Sequence, residues 1–146
     1  MPGAESHAAY VFTCIGSLKM LGDLDLVDKD KLGLWLSRRQ CPSGGFNGRP
    51  EKLADVCYSW WILSSCYMIE RQQWINLDAL KDYVLNCQDA EDGGIGDRPG
   101  NEVDVFHTFF GLTALSLMGH YNLELIDNTY AIPVKTMKKH FGHVYK

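Results

Sequence analysis

Apolar residues recur at helical spacing along the chain, in two kinds of segment that alternate. Segments of the first kind are apolar nearly all round. One carries Ala8, Val11, Phe12, Ile15 and Leu18 and stops at Gly22; the others are residues 55–69, with Trp60 and Trp61, and 103–118, with Phe109 and Phe110. The second kind, residues 29–40 and 77–88, keeps charge on one side, with Lys29, Lys31, Arg38 and Arg39 in the earlier copy and Asp78, Lys81 and Asp82 in the later. A helix apolar all round is expected to be buried, whereas a polar stripe faces solvent. Asp28 stands where a side-chain cap for the first such segment is expected. No alternation of period two separates these segments, so the expectation is an all-α fold.

The glycine-rich stretches between helices repeat. Gly44-Gly45-Phe46-Asn47-Gly48-Arg49-Pro50 returns as Gly93-Gly94-Ile95-Gly96-Asp97-Arg98-Pro99, with the glycine pairs and the Arg-Pro pairs each 49 residues apart. Met1-Pro2-Gly3 reads as the stub of a third copy. A repeat of this length indicates helical hairpins that stack to bury a common face. An inner ring of apolar helices wrapped by an outer, half-polar ring satisfies both kinds of segment. That is an α/α toroid, of which this chain holds about two and a half hairpins; a curved solenoid is the less specific alternative. Residues 1–119 read as the partial repeat domain. Residues 120–146 read as a tail, whose Lys135, Lys138, Lys139 and His140 indicate a solvated or frayed end.

Composition narrows the class. At 146 residues, 46% hydrophobic and 22% charged, the chain is long enough for one core and too apolar for wholesale disorder. The net charge of −4 gives no general footprint for nucleic acid. The longest apolar run, residues 57–69, is too short to span a bilayer. Five cysteines without a Cys-x-x-Cys pair argue against a disulfide framework and for reduced thiols in the cytoplasm, most of them small core residues.

His7, Cys57 and His107 lie 50 residues apart at the starts of the inner helices, which points them toward one shared rim. With Asp55 two residues before Cys57, the set Asp55, Cys57, His107 offers oxygen, sulfur and nitrogen to Zn2+ and leaves a fourth position open. The same residues also read as a helix cap, a core thiol and a hydrogen-bonded histidine. His7, Arg49, Lys52 and Tyr58 suit the oxygens of a diphosphate through a planar fork, a point charge, an imidazole and a phenol; a solvated charge patch is the plain alternative. Arg98, at the equivalent loop, is open to either reading. Trp60, Trp61, Phe106, Phe109 and Phe110 continue inward from these positions, as the lining of an apolar cavity or as ordinary core.

The segment from Ser43 to Trp61, with Gly48-Arg49-Pro50, Lys52 and Asp55-Val56-Cys57-Tyr58-Ser59, resembles the protein prenyltransferase beta subunits. Asn47-Gly48, Glu51-Lys52-Leu53 and the Trp60-Trp61 pair resemble the type II branch, which modifies Rab GTPases. Asp97-Arg98-Pro99-Gly100 and Val103-Asp104-Val105-Phe106-His107 fit the same branch. The resemblance implies zinc on Asp55, Cys57 and His107, the diphosphate of geranylgeranyl diphosphate on His7, Arg49, Lys52 and Tyr58, and Trp61 and Phe106 along the isoprenoid. It further implies transfer of that isoprenoid to a cysteine thiolate, an alpha subunit as partner, and an escort protein that presents the Rab substrate. A terpene cyclase of the same architecture is expected to carry aspartate-rich inner helices, which this chain lacks. The resemblance begins near the middle of the family's beta subunit. The expectation is therefore a half-toroid with exposed apolar faces and little turnover alone; the alternative is a non-catalytic fragment that at most engages the alpha subunit or competes for it.

Overall fold

The computed structural model describes residues 3–142, so Met1 and Pro2 of the proposed third repeat lie outside the described residues. Its helices are α1 (Ala8–Leu21), α2 (Lys29–Ser37), α3 (Cys57–Met68), α4 (Leu77–Asn86), α5 (Val105–Leu117) and α6 (Val134–Phe141). Short 3-10 turns at Leu24–Leu26 and Gln72–Trp74 follow α1 and α3 at equivalent points of the repeat. Side chains open four of the helices by accepting a free backbone N–H. They are His7 Nδ1 from Ala9 (3.2 Å), Asp28 Oδ1 from Lys31 (3.0 Å), Asn76 Oδ1 from Ala79 (3.1 Å) and Asp104 Oδ1 from His107 (2.8 Å).

The two kinds of segment separate into two layers. Inner helices α1, α3 and α5 stand side by side, with α3 packed between the other two, and α2 and α4 lie outside them. Trp60, Ile62, Leu63 and Cys66 of α3 are fully buried, together with Leu36 of α2, Leu80 of α4 and Phe46 of the intervening loop. The outer sides of the flanking helices are open. Tyr10 and Leu21 of α1 and Val105 of α5 are mostly exposed, and Phe106, Phe109 and Leu112 of α5 are about half exposed.

Several local features differ from the sequence expectation. The helices are shorter than the periodicity indicates, because Arg38–Gln40 and Asp55 turn into the loops. Residues 103–104, expected in the last inner helix, form β2 (Val103–Asp104), which pairs antiparallel with β1 (Ile95–Gly96). His7 caps α1, whereas Cys57 is the first residue of α3 and His107 the third of α5, so their equal spacing does not give equal helical positions. Arg39 is buried instead of joining the charged outer stripe. Cys57, Cys66 and Cys87 are buried, and burial pushes the Cys66 thiol up to about 12, but Cys14 is exposed.

Beyond α5 the chain folds back rather than fraying at once. Ser116 Oγ donates to the Glu124 carbonyl (2.6 Å) and accepts from the Ile126 N–H (3.0 Å), while Ile126 bridges Pro133 and leans on the main core. The lysines Lys135, Lys138 and Lys139 and His140 all fall on α6, which buries Met137.

Candidate active site

The loop before α3 and the start of α5 bring Asp55, Cys57 and His107 together. One donor atom from each lies within 4.8 Å of the other two. Asp55 reaches this place because its N–H donates to the Phe46 carbonyl (3.0 Å) and its Oδ1 accepts from the Cys57 N–H (2.8 Å). The capping reading of Asp55 is thus half right: the carboxylate does satisfy the start of α3, and it still faces His107 Nε2 at 3.3 Å. For metal–ligand bonds of about 2.0–2.3 Å, tetrahedral donors stand about 3.3–3.8 Å apart; the Asp55–His107 distance of 3.3 Å lies in that range, and the 4.8 Å bound on the whole set is wider than it.

Asp104 completes the arrangement. Its Oδ1 caps α5 and its Oδ2 lies 2.6 Å from His107 Nδ1, so Nδ1 carries the proton and donates to the carboxylate. The Nε2 lone pair then faces Asp55 and Cys57. These hydrogen bonds, first from the His107 backbone and then from its ring, hold the Asp104 carboxyl below the usual carboxylate range. Burial pushes the Cys57 thiol well up, and the Asp55 carboxylate beside it adds to the shift. A thiol so placed ionises only with a compensating cation in contact, and the donor set is the one zinc accepts.

Beside this cluster lies a cleft of about 280 Å³ lined by His7, Arg49, Lys52, Asp55, Tyr58 and Arg98. All four residues read from sequence as diphosphate-binding therefore share one cavity, and Arg98 joins them. Because His7 Nδ1 accepts from the Ala9 N–H, the neutral ring carries its proton on Nε2, 3.4 Å from the Tyr58 hydroxyl. Burial raises the Tyr58 pKa, and the nearby Cys57 and Asp55 charges add to this against Arg49, so the phenol remains a donor. Gly48 admits that ring: a Cβ there would stand 2.3 Å from Tyr58 Cζ. Arg49 is paired with Glu5, a residue 44 positions away that no sequence pattern connects to it. Arg98 is held by Asp97 at 2.8 Å.

The aromatic residues divide. Trp60 is fully buried, edge-on to Phe12, and is core. Trp61 instead meets Tyr58 (5.5 Å between centroids), Phe106 (6.2 Å) and Phe110 (5.3 Å), and Phe106 lies against His107 (5.1 Å). This aromatic surface joins the cationic cleft to the donor cluster. Of the polar groups sequence reading passed over, Asp104 carries a findable signal, an aspartate three residues before a histidine at a helix start.

Residues 1–132 match the prenyltransferase alpha-alpha toroid domain family. The geranylgeranyl transferase type-2 beta subunit of Saccharomyces cerevisiae is 54% identical over 99% of this chain and 46% of its own length. A type-2 beta subunit of Arabidopsis thaliana is also 54% identical, over 94% of this chain and 43% of its own. The chain spans about half the length of the curated relatives it matches. Among solved structures, Candida albicans protein geranylgeranyltransferase-I complexed with GGPP superposes with a TM-score of 0.83 at 31% identity, over 99% of this chain and 45% of that one. No helix among the described residues is long and apolar enough to cross a membrane. The chain belongs to the prenyltransferase alpha-alpha toroid family, on the side of its type-2 geranylgeranyl transferase beta subunits.

Proposed function

We propose that this chain is the metal- and diphosphate-binding part of a type II protein geranylgeranyltransferase beta subunit. Such an enzyme moves the geranylgeranyl group from geranylgeranyl diphosphate to C-terminal cysteines of Rab GTPases. One juxtaposition carries the reading: Asp55 belongs both to the oxygen, sulfur and nitrogen cluster and to the wall of the cationic cleft. An acceptor sulfur at the cluster and a diphosphate in the cleft are then neighbours.

Asp55, Cys57 and His107 would hold zinc, which when bound supplies a Lewis acid that favours the thiolate of a substrate cysteine at the open position. Asp104 keeps the His107 ring oriented for that role. Arg49, Lys52, the His7 Nε2–H and the Tyr58 hydroxyl meet the diphosphate oxygens and offset the charge that builds as the C1–O bond breaks. Sulfur forms its bond to C1 while diphosphate leaves with the electron pair of the broken bond. Trp61 and Phe106 line the path of the isoprenoid. The reading assigns this role to residues 1–119, with 120–146 as a tail, and puts the chain in the cytoplasm, paired with an alpha subunit and supplied with Rab by an escort protein.

Zinc content of the chain co-purified with an alpha subunit tests the assignment. Wild type is expected to hold one equivalent and Cys57→Ala little, with transfer activity lost in parallel. Equal metal in both would overturn the ligand set. The open faces of α1 and α5 favour a second reading, a chain that binds metal and alpha subunit yet turns over poorly, because Phe106 and Phe109 leave the isoprenoid wall incomplete. A transfer rate equal to that of a full-length heterodimer would exclude it.

A further inference from the structure

The repeat contains its own control. Asn47 and Gly96 occupy equivalent positions, 49 residues apart, and each N–H donates to the equivalent carbonyl of the preceding turn: Asn47 to Arg39 (3.0 Å) and Gly96 to Cys87 (2.9 Å). The backbone frame is therefore built without a guanidinium or a carboxamide in the second copy. The first copy adds both, at 9% and 8% exposure. Burying a cation is unfavourable unless something is gained. Among the described residues Arg39 faces no carboxylate; its partners are Asn47 Oδ1 (3.4 Å) and the face of Trp35 (5.1 Å), and its Nε is buried without a hydrogen bond.

What the pair accomplishes follows from donor chemistry. A guanidinium can only donate, so it fixes the Asn47 carboxamide with its oxygen toward Arg39. The amide nitrogen is thereby aimed the other way, where it donates to the Lys52 carbonyl at 2.9 Å. Lys52 lines the cationic cleft, and no comparable carboxamide exists in the second copy, where Gly96 has no side chain.

We propose that Asn47, oriented by the buried guanidinium of Arg39, is a positioning residue that sets Lys52 for the phosphate oxygens of the substrate. The proposal rests on the diphosphate reading of the cleft. It accounts for a buried polar pair that the first repeat carries and the second lacks. Arg39 and Asn47 touch no substrate; they act through the backbone of Lys52.

Inorganic pyrophosphate is the probe, titrated into the complex with an alpha subunit, with zinc content measured on the same samples. Asn47→Ala is expected to weaken pyrophosphate about tenfold and Arg39→Met somewhat less, with zinc unchanged, because one charge-assisted contact is misplaced. Arg39→Lys, which still donates, is expected to recover part of the loss. In a Lys52→Ala background Asn47→Ala is expected to add little, whereas general damage to the fold would add the same tenfold again. Equal losses in both backgrounds, or full affinity in Asn47→Ala when Lys52→Ala is weakened, would overturn the positioning role alone. Failure of Lys52→Ala to weaken pyrophosphate, or no binding by wild type, would overturn the cleft reading and this proposal with it.

Discussion

Gly44 and Gly93 are the same residue of the repeat, both with positive φ (+91° and +80°), yet they stand in different surroundings. A Cβ added at Gly44 would lie 2.2 Å from the Ala79 carbonyl oxygen of α4, whereas one added at Gly93 meets nothing within 4 Å. The Gly44 loop cannot simply swing clear, because the Gln40 Nε2 donates to both the Gly44 and the Asn76 carbonyls at 2.9 Å and ties loop to helix. Left-handed backbone costs an alanine about 1–2 kcal/mol at either site. Each replacement recovers about 0.4–1 kcal/mol from the unfolded chain, so these contributions cancel between the two variants. What remains is the clash at Gly44 alone, about 1–3 kcal/mol for an overpacked contact against backbone. Gly44→Ala should therefore be about 2 kcal/mol less stable than Gly93→Ala, and with a urea slope of about 2 kcal/mol/M their midpoints should differ by about 1 M. Urea unfolding followed by tryptophan fluorescence measures this directly. Coincident midpoints would refute the claim that the first glycine pair is fixed by close approach to α4.

Two further changes separate fold from site. Asp104→Asn keeps a good cap for α5 but removes the carboxylate from His107, so zinc affinity should fall about 10–100-fold with stability nearly unchanged. Competition against a chelating dye checks this, and unaltered affinity would remove Asp104 from the site. Trp60→Ala should cost about 3–5 kcal/mol as a fully buried ring is lost. Trp61→Ala should cost far less stability and instead weaken geranylgeranyl diphosphate while sparing pyrophosphate; equal effects on both ligands would contradict an isoprenoid role.

The layered order of helices was legible because burial on all sides and burial on one side leave different patterns, and because the repeat marks its own loops. Which of two adjacent tryptophans faces the core was not. Neighbours on a helix point about 100° apart, and α3 is apolar all round, so its pattern offers no polar face to orient it. Trp60 and Trp61 are told apart only by the placement of α1 and α5. The pairing of β1 with β2 was hidden for another reason: two-residue strands are too short to show a period. The turn-back after α5 depends on Ser116 gripping the backbone of residues 124 and 126, which no side-chain pattern encodes.

Polar residues at the loops were legible as types and as two sets, whereas the contacts that hold them, Asp104 to His107 and Glu5 to Arg49, were not. Repeat spacing groups His7 with Cys57 and His107, yet the first residue of a helix and its cap point differently, and this sends His7 to the cationic cleft while Asp55 takes the place beside the thiol. Charge patterning likewise assigns Arg39 to a solvated stripe, because periodicity continues the helix past Ser37 where the backbone in fact turns inward. In both cases the outcome is decided at a helix end, where side-chain directions cease to follow a fixed rotation. The donor cluster, the cationic cleft and the Arg39–Asn47 support all lie at helix ends, so chemistry enters this fold where loops rather than helical rotation set the side-chain directions.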